Sequence, residues 1–150
     1  MQLVTLEQAC AVADNYRKKQ LVDELVLVRR ETDNGEDFIS RPASGRLKTV
    51  DIDDTAAICG YVDLIGAGYP VKLAGTIMSR VRVGMRAFPQ AEQLMTVTLE
   101  NGFNFTLPAD TLDIRSGFSS GGYVSTAHLV DVRNLRERVR RALEAYDAAS

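Results

Sequence analysis

"QLMTVTLENGFNFTLP", Gln93 to Pro108, decides how this chain is read. Apolar and polar residues alternate along "MTVTLE" and again along "FNFTLP". That alternation sends successive side chains to opposite faces of a strand. Between the runs lies Asn101-Gly102, a dipeptide that tolerates positive φ at both central positions of a tight turn. An antiparallel hairpin is therefore expected over about 94–107. Phe103 and Phe105 should lie across the ladder from Met95, Val97 and Leu99, all facing the core. A sheet built from hairpins, rather than from alternating strand–helix–strand units, places the chain in the α+β class.

Upstream of the hairpin, Leu73, Ile77, Val81 and Met85 recur every fourth residue. That spacing predicts a helix opened by Pro70 at its first position and closed by Pro89. Before it, Ala57, Ile58, Tyr61, Val62 and Ile65 form one helical stripe, which Gly66 or Gly68 should end. Only "GAGYP" joins the two, so a helical hairpin or sharp corner is expected. Downstream, "RSGFSSGGYVST" (115–126) is small, polar and glycine-rich, and reads as a flexible loop. Ser125 or Thr126 would then cap a final helix carrying Val132, Leu135, Val139, Ala142 and Tyr146.

At the N-terminus, Thr5 begins a T-L-E-Q capping box and a first helix. "LVLVRRE" and "DFIS", about Asp33-Asn34-Gly35, predict a hairpin over about 25–41. "LKTVDI" reads as a further short strand. The expected fold is thus α+β: two antiparallel β-hairpins (about 25–41 and 94–107) packed with four helices in a single compact domain of 150 residues.

"KTVDIDDT", Lys48 to Thr55, places Asp51, Asp53 and Asp54 within four positions. As D-x-D-x-T it resembles the nucleophile motif of the haloacid dehalogenase phosphatases. That resemblance implies a downstream lysine, a second acidic pair for magnesium and a parallel sheet. Here Lys72 is the sole lysine after Lys48, and the nearest later acids are Asp110 and Asp113 in "LPADTLD". Aspartate in a first helical turn accepts orphan amide hydrogens and complements the helix dipole. The cluster is read as a helix entrance, with no catalytic residue, metal or cofactor assigned.

His128 is the single histidine, which excludes a multi-histidine metal site. Cys10 and Cys59 are far apart and read as buried thiols of a cytoplasmic protein. No basic-then-apolar leader opens the chain, and no apolar run approaches ~20 residues, so neither secretion nor a membrane span is expected. With a net charge of −2, bulk charge does not mark a nucleic-acid binder. Charge is nevertheless laid out in blocks. Lys72, Arg80, Arg82 and Arg86, with the arginines of the last helix, offer a basic face for nucleic acid. Arg115, Ser119, Ser120, Gly121, Gly122 and Tyr123 offer a loop for a nucleotide or small anion. Val132, Leu135, Val139 and Tyr146 step by three and four, a seam suited to a homo-oligomer. The opening "LVTLEQA" resembles the first residues of some phage connector proteins, over seven of 150 residues. It implies a small viral or mobile-element accessory or structural protein. The expected function is a non-enzymatic, self-associating protein-interaction module. A nucleic-acid-binding regulator and an anion binder are the alternatives.

Overall fold

The computed structural model describes residues 3–4, 6–13, 50–113, 117–119 and 121–149. The expected hairpin at 25–41 and the Thr5 capping box lie outside these residues. Strand β1 (Leu3–Val4) pairs antiparallel with β2 (Val50–Asp51), and the seven-residue helix α1 (Leu6–Val12) follows β1.

Helix α2 (Ile52–Gly66) begins where the acidic cluster lies. Asp51 is its N-cap. The Asp54 amide donates to Asp51 Oδ1 at 2.8 Å, and the Asp51 amide donates to Asp54 Oδ2 at 3.3 Å. Two orphan donors are satisfied reciprocally by this capping box. At the far end, Gly68 has φ +95°, Tyr69 N donates to Leu64 O, and Gly68 N donates to Ile65 O. This is a Schellman closure, which needs a residue at ease in the left-handed region. Ala56, Ala57, Ile58, Cys59 and Tyr61 are fully buried, so α2 is central to the helical layer.

Helix α3 (Val71–Ala87) follows, with Pro70 as its N-cap, so the helix begins one residue later than expected. Its stripe of Ala74, Ile77, Met78, Val81 and Met85 packs into one core with α1, α2 and the last helix. A Cβ on Gly60 of α2 would strike Met78 Cε, so the glycine lets α3 approach closely.

Beyond α3 comes β3 (Gln93–Leu99), then β4 (Asn104–Pro108), with Val97 opposite Phe105 and Met95 opposite Leu107. The hairpin of the opening stretch is present in the expected register. After a 3-10 turn at Ala109–Thr111 lie β5 (Phe118–Ser119) and β6 (Gly122–Asp131). The strand order is β4-β3-β6-β5, antiparallel throughout. Helix α4 (Val132–Ala149) ends the described chain.

Three expectations need correction. In the segment 115–126, the described residues 118–119 and 122–126 are strand rather than open loop. Gly121, at φ +85°, turns β5 into β6, and β6 is recruited by β3 over seven pairs. The last helix is not capped at Ser125 or Thr126, which lie in β6; Asp131 Oδ1 accepts from the Asn134 amide at 2.8 Å instead. Among the described residues the outcome is a four-stranded sheet that contains the 94–107 hairpin, the short β1–β2 pairing, and three long helices besides the short α1.

The third correction concerns facing. The sheet side that meets the helices carries Leu94, Thr96, Thr106 and Val130, not Phe103, Phe105 and Val97. A Cβ on Gly84 of α3 would lie 2.9 Å from Thr106 Cγ2 and 3.1 Å from Leu94 Cδ1, so backbone of α3 rides directly on this face. The two threonines are tolerated there because Thr96 and Thr106 share a hydrogen bond of 2.8 Å.

Candidate interaction surface

The opposite face of the sheet is the unusual feature. Residues paired across an antiparallel ladder point the same way. Met95, Val97 and Leu99 of β3 therefore share this outer face with Leu107 and Phe105 of β4 and with Leu129, Ala127 and Val124 of β6. Phe103 joins them: its carbonyl accepts from the Leu99 amide, and its ring lies 6.0 Å from that of Phe105. Val97 and Leu99 are buried, and Met95, Phe105, Leu107, Ala127 and Val124 are half-buried. Phe103 and Leu129, at the sides, are 57% and 55% exposed. No described helix packs on this face. No charged side chain interrupts it between the Gln93–Asp131 rung at one end and the Asn101-Gly102 turn at the other. Large apolar side chains left exposed at the margin of an apolar face mark an interaction site more often than isolated ones do.

The sites expected from sequence are distributed differently. Arg82 is buried and its Nε donates to Asp54; Arg86 Nη2 donates to Asp54 at 2.8 Å and reaches Asp51 at 3.5 Å. The block of bases thus serves the block of acids at the α2 entrance, because both helices present those ends to each other. Lys72 is exposed and Arg80 half-buried, so the four do not form one open basic face. Arg136 of α4 closes the network, donating to Asp53 at 2.7 Å and to the Met85 carbonyl at 3.4 Å. Every carboxylate of the D-x-D-x-T stretch is therefore held by amides or guanidinium groups. Among the described residues no group of three or more acids, histidines and cysteines is placed to hold a metal ion.

The supposed oligomer seam is used internally. Val132 and Val139 are fully buried, Leu135 packs against the same core, and Tyr146 alone is exposed. An a/d-like stripe on an amphipathic helix fits a partner subunit or the chain's own core equally well, and here α4 lies on α2. Of the anion-loop residues, Arg115 and Ser120 lie outside the described residues and Ser119 is in β5. Gly121 makes the turn, Gly122 passes within van der Waals reach of Leu99, and Tyr123 is 64% exposed.

Among the concavities lined by described residues, one gathers charged side chains of α2 and α4. An open cleft of about 400 Å³ is lined by Asp53, Gln90, Glu92, Arg133, Arg136 and Arg140. Arg133 contacts Glu92 at 3.2 Å across it, so acids and bases nearly balance. Nearby, the Asp63 carboxylate bonds Arg138 at 2.7 Å and raises that guanidinium's pKa.

Sequence reasoning named Phe103 and Phe105 but placed them inside, and it missed Leu129. The available signal was that β3 is apolar on both faces, with Leu94 next to Met95. A strand of that kind needs cover on two sides. No family model and no curated protein matches this chain. Among the described residues, no helix is long and apolar enough to cross a membrane.

Proposed function

We propose that this chain is a non-enzymatic, self-associating protein-interaction module of the cytoplasm, in the manner of a small accessory or structural protein. One observation carries the reading: the outer sheet face is continuously apolar, with Phe103 and Leu129 more than half exposed. Exposed aromatic and aliphatic side chains on a rigid sheet are the anchors that interfaces use. The reading moves the contact from the α4 stripe, which the chain consumes in its own core, to the sheet. The nucleic-acid alternative is weaker, since Arg82, Arg86 and Arg136 are each held by a carboxylate within the fold. Light scattering across a concentration series is the test. A mass approaching a multiple of 16.5 kDa is expected, falling toward one chain in Phe103→Ser and Leu129→Ser. A wild-type protein that stays monomeric at high concentration overturns the proposal.

A further inference from the structure

Arginine stands at 133, 136 and 140 of α4, and steps of three and four put the three on one helix face. All three line the open cleft of about 400 Å³, together with residues 89–92 of the link between α3 and β3. Arg138 is turned to Asp63 instead, and the exposed Arg141 lies outside the cleft lining. The cleft arginines are held to different degrees. Arg136 has a side chain only 12% exposed, fixed by Asp53 through Nε and Nη2 and by the Met85 carbonyl. A guanidinium carries five N–H donors, and Nη1 of Arg136 makes no bond among the described residues. Arg133 meets Glu92 with both side chains about two-thirds exposed, and Arg140 meets Glu137 only at 3.9 Å. Exposed pairs of this kind contribute little and exchange readily. Asp53 is neutralised by Arg136, so an anion that took the place of Glu92 would meet Arg133 and Arg140 beside a guanidinium already locked in position.

We infer that this cleft binds a phosphate dianion, free or carried on a small organic group. Paired guanidinium N–H groups match phosphate oxygens, and bonds with both partners charged are about twice as strong as neutral ones. A dianion also carries the charge to displace the single carboxylate of Glu92 from an exposed arginine, which a monocarboxylate does not. The cleft is larger than a phosphate ion needs and lies within the roughly 300–1,000 Å³ of small-molecule sites, so a sugar-sized group fits beside the phosphate. The inference stands apart from self-association, since no residue of the outer sheet face lines the cleft.

Ribose 5-phosphate and inorganic phosphate are the probes, titrated into the intact chain at low chloride and at pH about 7.5, where a phosphomonoester is a dianion. Amide shifts in NMR spectra read the dissociation constant. A value below about 1 mM is expected, rising at least about tenfold in Arg133→Ala and in Arg140→Ala. Both side chains are more than half exposed, so the thermal melt should hold. Glu92→Gln removes the competing carboxylate and should tighten binding. Arg141→Ala removes the same charge from outside the cleft and should leave binding unchanged. Tighter binding of ribose 5-phosphate than of phosphate assigns an organic phosphate, and equal binding assigns the free ion; either supports the site. The absence of a saturable shift with both probes at about 10 mM overturns it. So does an equal loss in Arg141→Ala, which marks a general pull by a basic helix. Displacement of both probes by a random DNA duplex, weakened alike by all three arginine substitutions, also defeats it and makes α4 a nucleic-acid surface.

Discussion

At the scale of single residues, the acidic cluster is an electrostatic device, and its members differ in worth. Asp54 is 7% exposed and meets Arg82, itself 8% exposed, as well as Arg86 and the Asp51 amide. Removing one member of a buried pair leaves the other charge without compensation. Asp54→Ala should cost about 3–5 kcal/mol in urea unfolding at pH 7. Asp51→Ala loses a cap, at about 1 kcal/mol. Asp63→Ala loses only the exposed pair with Arg138, at about 0–1 kcal/mol. The order Asp54, Asp51, Asp63 is the test, and a smaller loss for Asp54 than for Asp51 would show that the network is not buried in solution. The same reasoning predicts that millimolar magnesium leaves the melting temperature unmoved, because no carboxylate is spare for it. A rise would mean the cation binds the folded state and would reopen the phosphatase motif. These roles were readable in part. Asp-x-x-Asp before an apolar stripe announces a cap, so Asp51 and Asp54 were legible. Their arginine partners were not, because Arg82 and Arg136 approach from 28 and 83 residues away and nothing local marks them.

At the scale of elements, close approach makes the glycines of α2 and α3 unequal. Alanine at either site gains about 1 kcal/mol of helix propensity. At Gly60 the new methyl meets the flexible end of Met78, which can move aside. At Gly84 it meets Thr106 Cγ2 at 2.9 Å, on a β-branched side chain fixed by its bond to Thr96. Gly60→Ala should therefore lie within about 1 kcal/mol of wild type, while Gly84→Ala loses about 1–2 kcal/mol net from overpacking. Equal denaturation midpoints would show that α3 does not ride on the sheet at Gly84. Helices α2 and α3 were legible because each carries a full apolar stripe bounded by glycine or proline. Strand β6 was not. Its alternation is broken by the bulge at Ser125, and its small polar residues suggest a loop until β3 supplies a neighbour. Tyr123, Val124, Thr126 and Val130 are nevertheless strand-favouring types, and Asp131 just before the α4 stripe was the better cap signal. The outer face of the sheet was misread for a related reason. Alternation says which residues share a face, but a strand with Leu94, Val97 and Leu99 does not say which face the helices choose.

At the scale of the whole molecule, charge and hydrophobicity are segregated, and that separates the competing functions by one variable. The acids and arginines meet at the α2, α3 and α4 ends, whereas the outer sheet face and the β6 edge lack charged residues between Gly122 and Val130. Association through apolar surface has little Coulombic content for salt to screen, and sulfate strengthens it by exclusion from the surface. Binding to nucleic acid runs the other way, since each phosphate contact releases a counterion and affinity falls steeply with salt. The dissociation constant of the proposed self-association should change by less than about threefold between 50 and 500 mM sodium chloride, and should decrease in sodium sulfate at equal ionic strength. Sedimentation equilibrium measures both. A dissociation constant that climbs steeply with chloride would place the contact on the arginine-rich end of α4 instead. Cross-chain pairs such as Arg133 with Glu92 of another copy would then be the first to replace.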